Sequence, residues 1–145
     1  MFQELANAVR WFGVVLAAIV AASNTDSDSS AVDIQNCDGV LFVTPIVDSV
    51  ATGVATLTVE VADAVGGPWT EVPSAAAEAT CAVNDDLNGK VLVVDVYRPL
   101  GRYVRANITS VTANIAFGAT QAIGYHTRTQ PVAQDNVAAL VSVAG

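Results

Sequence analysis

The chain has 145 residues, of which 52% are hydrophobic and only 14% charged, with a formal net charge of −8. That length forms one domain with a core of its own, without metals or cross-links. Six Lys and Arg scattered along an acidic chain exclude nucleic acid as its direct partner, and no stretch reaches the ~20 apolar residues of a membrane-spanning helix.

In chain order, Gln3 to Arg10 is the one candidate helix, with Leu5, Ala8, Val9 and Phe12 at helical spacing. Next comes "WFGVVLAAIVAA", Trp11–Ala22, an apolar run behind Arg10 and ahead of the polar "SNTDSDSS". It has the layout of a secretory leader with a Val-Ala-Ala cleavage site, and equally that of a buried first strand. Glu4, and the lack of any basic residue before Arg10, weaken the leader. The run is therefore expected to be a buried strand.

Short strands separated by turns follow. One is expected near Ala31–Ile34, then a turn at Asn36–Gly39, then a strand Val40–Val47 whose Pro45 calls for an edge position or a bulge. Val54–Ala62 alternates cleanly, with Ala55, Leu57, Val59 and Val61 on one face, and is the strongest strand. After "VGGP" a short strand is expected at Trp69–Val72. Asn88-Gly89 reads as a tight hairpin, followed by strands Lys90–Tyr97 and Arg102–Thr109. A last strand is interrupted near Gly118–Thr120. Turns every 8–12 residues without βα alternation indicate an antiparallel sandwich. The local pattern fits jelly-roll and immunoglobulin-like topologies alike.

Residues with chemistry are few. His126 is the sole histidine, and no Ser or Cys stands in a nucleophile motif, so no catalytic residue is assigned. Asn84, Asp86, Asn88, Gly89 and Asp95 fall at calcium-loop positions, but strand-like flanks make a plain hairpin the better reading. Asp26 to Asp33 lacks the glycine and closing glutamate of such a loop. No metal and no cofactor is expected. Trp69 is expected to be a core anchor more than a sugar platform. Arg98, Arg102 and Arg105 read as salt-bridge or interface residues, with Arg102 and Arg105 on opposite strand faces. Cys37 and Cys81 permit one disulfide in an exported chain and read as small buried residues otherwise.

The segments "SSAVDIQNCDGVLFVTPI", "ATLTVEVADAVGGPWTEV", "GRYVRANIT" and "AIGYHTR", taken in order, resemble the decoration or cement proteins of tailed bacteriophage heads. The resemblance covers about 100 residues, through short motifs none of which is catalytic. It implies a non-enzymatic virion protein on the capsid surface, assembled in the host cytoplasm. Its partners would be the major capsid protein and copies of itself, as a homotrimer. The expected fold is all-β: an antiparallel β-sandwich, jelly-roll-like, with ordered N- and C-terminal arms. Residues 1–130 would form the sandwich and its N-terminal arm, and 131–145 a C-terminal arm. Trp11, Phe12, Val132 and Leu140 are the expected interface residues, although core burial would explain the first two equally well. The alternatives are a head–tail connector, minor tail or fibre-attachment protein, and a secreted carbohydrate-binding or adhesion sandwich.

Overall fold

The structure is a computed structural model and describes residues 8–128, Gln134 and residues 136–139. Residues 3–7 of the segment expected to be helical and much of both arms therefore lie outside the described residues, and Arg10, the end of that segment, opens a strand.

Eleven strands are present among the described residues: β1 (Arg10–Leu16), β2 (Ile19–Ala22), β3 (Asp26–Asp28), β4 (Val32–Asp33), β5 (Gly39–Ser49), β6 (Val54–Ala62), β7 (Thr70–Thr80), β8 (Val91–Tyr97), β9 (Tyr103–Val111), β10 (Ile115–Phe117) and β11 (Thr120–Tyr125). Several are halves of one longer strand. β1 and β2 break at Ala17-Ala18, β3 and β4 flank Ser29–Ala31, and β10 and β11 break at Gly118-Ala119. Joined in this way, sheet I has the order β1/β2–β10/β11–β5–β8 and sheet II the order β3/β4–β9–β6–β7, and every pairing is antiparallel. Numbered as eight strands, the first pairs the last, the second the seventh, the third the sixth and the fourth the fifth. That is one long hairpin wrapped into two sheets, the jelly roll.

Alternation builds the core. Val40, Phe42, Thr44 and Ile46 of β5 are buried, and they meet Ala55, Leu57 and Val59 of β6 and Val104, Ala106 and Ile108 of β9. The buried Thr44 and Thr120 hydroxyls bond each other at 2.8 Å, which satisfies both inside an apolar interior. Cys37 and Cys81 are free and buried.

Four expectations are corrected. Trp11–Ala22 is not one buried strand but two pieces of an edge strand, with Val14 and Val20 exposed; an edge needs only one apolar face. Pro45 sits in an interior strand, not at an edge, and the bulge expected as the alternative agrees with the register shift of the adjoining β10–β5 ladder between Asp48 and Ile46. Ile46 and Gly89 supply the bonds to the β8 side, so the missing N–H points to the other side, where the neighbour breaks at Gly118. Trp69–Val72 extends into the eleven residues of β7. Finally, Asn88-Gly89 closes no tight hairpin: it ends the Cys81–Lys90 loop that carries the chain from β7 in sheet II to β8 in sheet I.

Candidate protein interface

The two outer faces of the sandwich differ in chemistry. On sheet I the outward residues of four neighbouring strands line up in rows. Asp95, Leu41, Ile123 and Trp11 form one row, and Val93, Val43, Gln121 and Val14 the next, with Val91 beside Pro45 beyond them. Val14, Val47, Val91 and Val93 are all exposed. The result is a contiguous apolar face interrupted by Gln121 and Asp95.

Asp95 has a hydrogen-bond partner that local geometry brings to it. Gly39 lacks a side chain, so the Tyr125 ring lies over it; a Cβ there would stand 2.2 Å from Cζ of Tyr125. The Tyr125 hydroxyl thereby reaches Asp95 and donates a hydrogen bond to it. Burial, then the bond to Asp95 and its charge, push the Tyr125 phenol well above its usual range. Tyr97 stacks on Tyr125 with centroids 6.4 Å apart, and His126 packs edge-on against both rings. The histidine is thus part of an exposed aromatic group. Among the described residues, no three or more His, Cys, Asp or Glu are grouped to hold a metal.

Sheet II presents the opposite surface. Asp26, Asp28, Glu60 and Glu71 surround Arg105 there, which bonds Glu60 at 3.0 Å and pairs with Asp28. Glu60 and Glu71 stand directly opposite each other on β6 and β7, a like-charge pair that Arg105 offsets from one side. Trp69 belongs to this surface. It is half-buried under the Arg105 guanidinium, 4.5 Å from the ring centroid, and is not the core anchor expected.

A cleft at one end of the sandwich is lined by Ile34, Cys37, Asp38, Arg98, Arg102 and Arg128. Arg10 lies beside Arg128 in the adjoining recess, so four of the six basic residues meet at this end. Arg102 grips Asp33 through two bonds of 3.1 and 2.9 Å, and that contact holds the Asp33 carboxyl below its usual value. The salt-bridge role expected for Arg102 and Arg105 is therefore seen directly. The calcium-like side chains at the other end are engaged by the loop and by the end of β5 beside it, although Asp86 Oδ1 is buried without a hydrogen-bond partner among the described residues. Asn84 accepts from the Ala51 amide, Asp86 from Ala82 and Val83, and Asn88 from the Ser49 hydroxyl.

Of the expected interface residues, Trp11 lies on the apolar face, whereas Phe12 alternates inward and packs in the core at 8% exposure. Val132 and Leu140 lie outside the described residues. The tail next to them does touch β1. The Gln134 side-chain amide accepts from the Trp11 N–H at 2.9 Å and donates to the Val9 carbonyl at 2.7 Å, and Asn136 donates to the Phe12 carbonyl. Sequence reading missed Leu41, Val43, Val93 and Ile123 as a surface, because their alignment depends on which strands become neighbours.

No family model and no curated protein matches the chain. Fifteen solved chains are similar to it in structure. One is the crystal structure of PBSX exported protein XepA, at a TM-score of 0.55 and 16% sequence identity over 100% of this chain and 46% of that one. This chain thus spans less than half the length of that neighbour. The likeness is one of fold.

Proposed function

We propose that this chain is a non-enzymatic structural protein of a bacteriophage virion, a decoration or cement protein that binds the assembled capsid shell through the apolar outer face of sheet I. The observation that carries the reading is the contrast between faces. Trp11, Leu41, Val43, Val93 and Ile123 make one side a protein-binding surface, while the carboxylates of sheet II keep the other in water. The fold shared with the PBSX exported protein fits it.

The mechanism is linkage. A rigid sandwich that binds only the assembled shell stabilises that assembly in proportion to its occupancy, and repeated contacts around a symmetric particle multiply the effect. Fully burying an exposed Val is worth about 1.5–3 kcal/mol, and covering one that is already half-buried contributes about half of that. A second reading, an exported binding sandwich, is favoured by the neighbour being an exported protein.

Quantitative mass spectrometry of purified particles tests the proposal. The expected result is a chain retaining Trp11–Ala22, near one copy per major shell protein, and lost from particles when Val43→Lys charges the apolar face. A few copies per hundred shell subunits would move it to a connector or tail. Recovery only from the medium, starting near Ser23, would overturn the virion reading.

A further inference from the structure

Two sheets have four edges, and three of them carry devices that block further strand pairing. At β1, Gln134 and Asn136 amides occupy Val9, Trp11 and Phe12 backbone groups, and the Ser30 N–H occupies the Val15 carbonyl. The β3/β4 edge is only three and two residues long, and each piece carries Asp. The β7 edge holds Pro73, a Ser74 with φ of +64°, a register shift against β6, and Glu71 and Glu78. Short length, proline, irregularity and charge are the recognised defences of an edge strand.

β8 carries only one of them, the single charge of Asp95. Its seven residues, Val-Leu-Val-Val-Asp-Val-Tyr, pair with β5 without a break from Tyr97 to Val91. They include no proline, glycine or lysine. The ladder also shows which backbone groups are free. Ile46 donates to Lys90 and Arg98 donates to Asp38, so the even-numbered residues of this stretch face β5. The N–H and C=O groups of Val91, Val93, Asp95 and Tyr97 therefore point away from the sheet, and no hydrogen bond among the described residues reaches them.

We propose that β8 pairs antiparallel with β8 of a second copy about a two-fold axis, joining two copies of sheet I into one continuous sheet. The strand is self-complementary in the register centred on Val94. Val91 and Tyr97 then exchange backbone bonds with the partner copy's equivalents of each other, as do Val93 and Asp95, so every free group is used. The same register fixes the charges. Asp95 falls opposite Val93 and not opposite its own copy, which avoids a directly facing like-charge pair. Val91 falls opposite Tyr97, a favourable β-branched and aromatic pair on the outer face. A contact of this type is isologous and closes at two copies, in place of the three-fold implied by the family resemblance. Recognition would be by strand addition, with main-chain bonds supplying affinity. The apolar outer faces would run on across the axis as one platform. None of this rests on the virion reading.

The test is the mass in solution of the full chain beside two variants. Val93→Pro removes an N–H that takes no part in the β5 ladder, and Val93→Asp sets a carboxylate directly opposite Asp95 of the second copy, a like-charge pair, without altering the backbone. The wild type is expected at twice the 14.9 kDa of one chain. Both variants are expected at single-chain mass, with unchanged circular dichroism. Amide exchange gives a second readout: protection at Val91, Val93, Asp95 and Tyr97 in the wild type, lost in Val93→Asp. A wild type that stays at single-chain mass at high concentration, or runs at three chains, overturns the proposal. So does a folded Val93→Asp chain that keeps the doubled mass.

Discussion

Gly39 decides the surroundings of Tyr125 by having no side chain. A Cβ at that position would meet the ring at 2.2 Å, so Gly39→Ala must push Tyr125 off the sheet and away from Asp95 and Tyr97. Overpacking of this kind costs about 1–3 kcal/mol, measurable as a lower denaturation midpoint. The phenol should also ionise at lower pH in a spectrophotometric titration, because the burial and hydrogen bond that raise it are lost. Asp33 gives a pH dependence at the same scale. Arg102, chiefly through its hydrogen bonds, holds the Asp33 carboxyl below its reference value of 3.8. A lowered native value means that the ion pair stabilises the fold above pH 3.8, and that this contribution is lost as the pH falls through the native value. Both side chains are about half exposed, so the effect is small, under about 1 kcal/mol. Urea midpoints followed from about pH 5 to pH 2 should fall less steeply in Asp33→Asn than in the wild type.

The edge strand β1 is held by a side chain more than 120 residues away in the chain. One Gln134 amide pairs with both Val9 and Trp11 as a neighbouring strand's peptide would. Gln134→Ala leaves two part-buried backbone groups unpaired, at a cost of about 1–3 kcal/mol. The expected readout is a lower melting temperature with faster exchange at the Trp11 amide. How far the elements could be read in advance follows from the same physics. β6 was legible to its ends because Val, Thr and Leu alternate there with a period of two. The break between β10 and β11 was legible in Gly118. β7 was not, since "SAAAEAT" has poor strand propensity; it becomes a strand through pairing with β6, a tertiary effect that overrides local preference. The Cys81–Lys90 loop was misread because Asn-Gly signals a turn without saying which sheet the next strand joins. Of the interface, Trp11 could be picked out as an apolar residue at a strand start. The rows beside it could not, because they are assembled from β1, β5, β8 and β11, and their register lies outside any local window.

At the level of the whole molecule, a net charge of −8 conceals an uneven distribution. The carboxylates gather on sheet II, four of the five arginines at one end, and sheet I is left nearly uncharged. That polarity gives the sandwich one side suited to protein and another suited to water. The wrapped hairpin has a further effect, on the order of events as the chain is made. β1 is synthesised first, yet its strand neighbour is β11, so Arg10 waits for Gly124 before it has a partner. β5 likewise lacks one neighbour until β10 and β11 emerge. Closing a loop of that length costs entropy before any contact repays it, which places the fold among the slow, non-local β topologies that take milliseconds to seconds. A chain halted before Ile115 would display β1, β2 and one side of β5 without these partners, so the emergence of β10 and β11 is the step that completes sheet I.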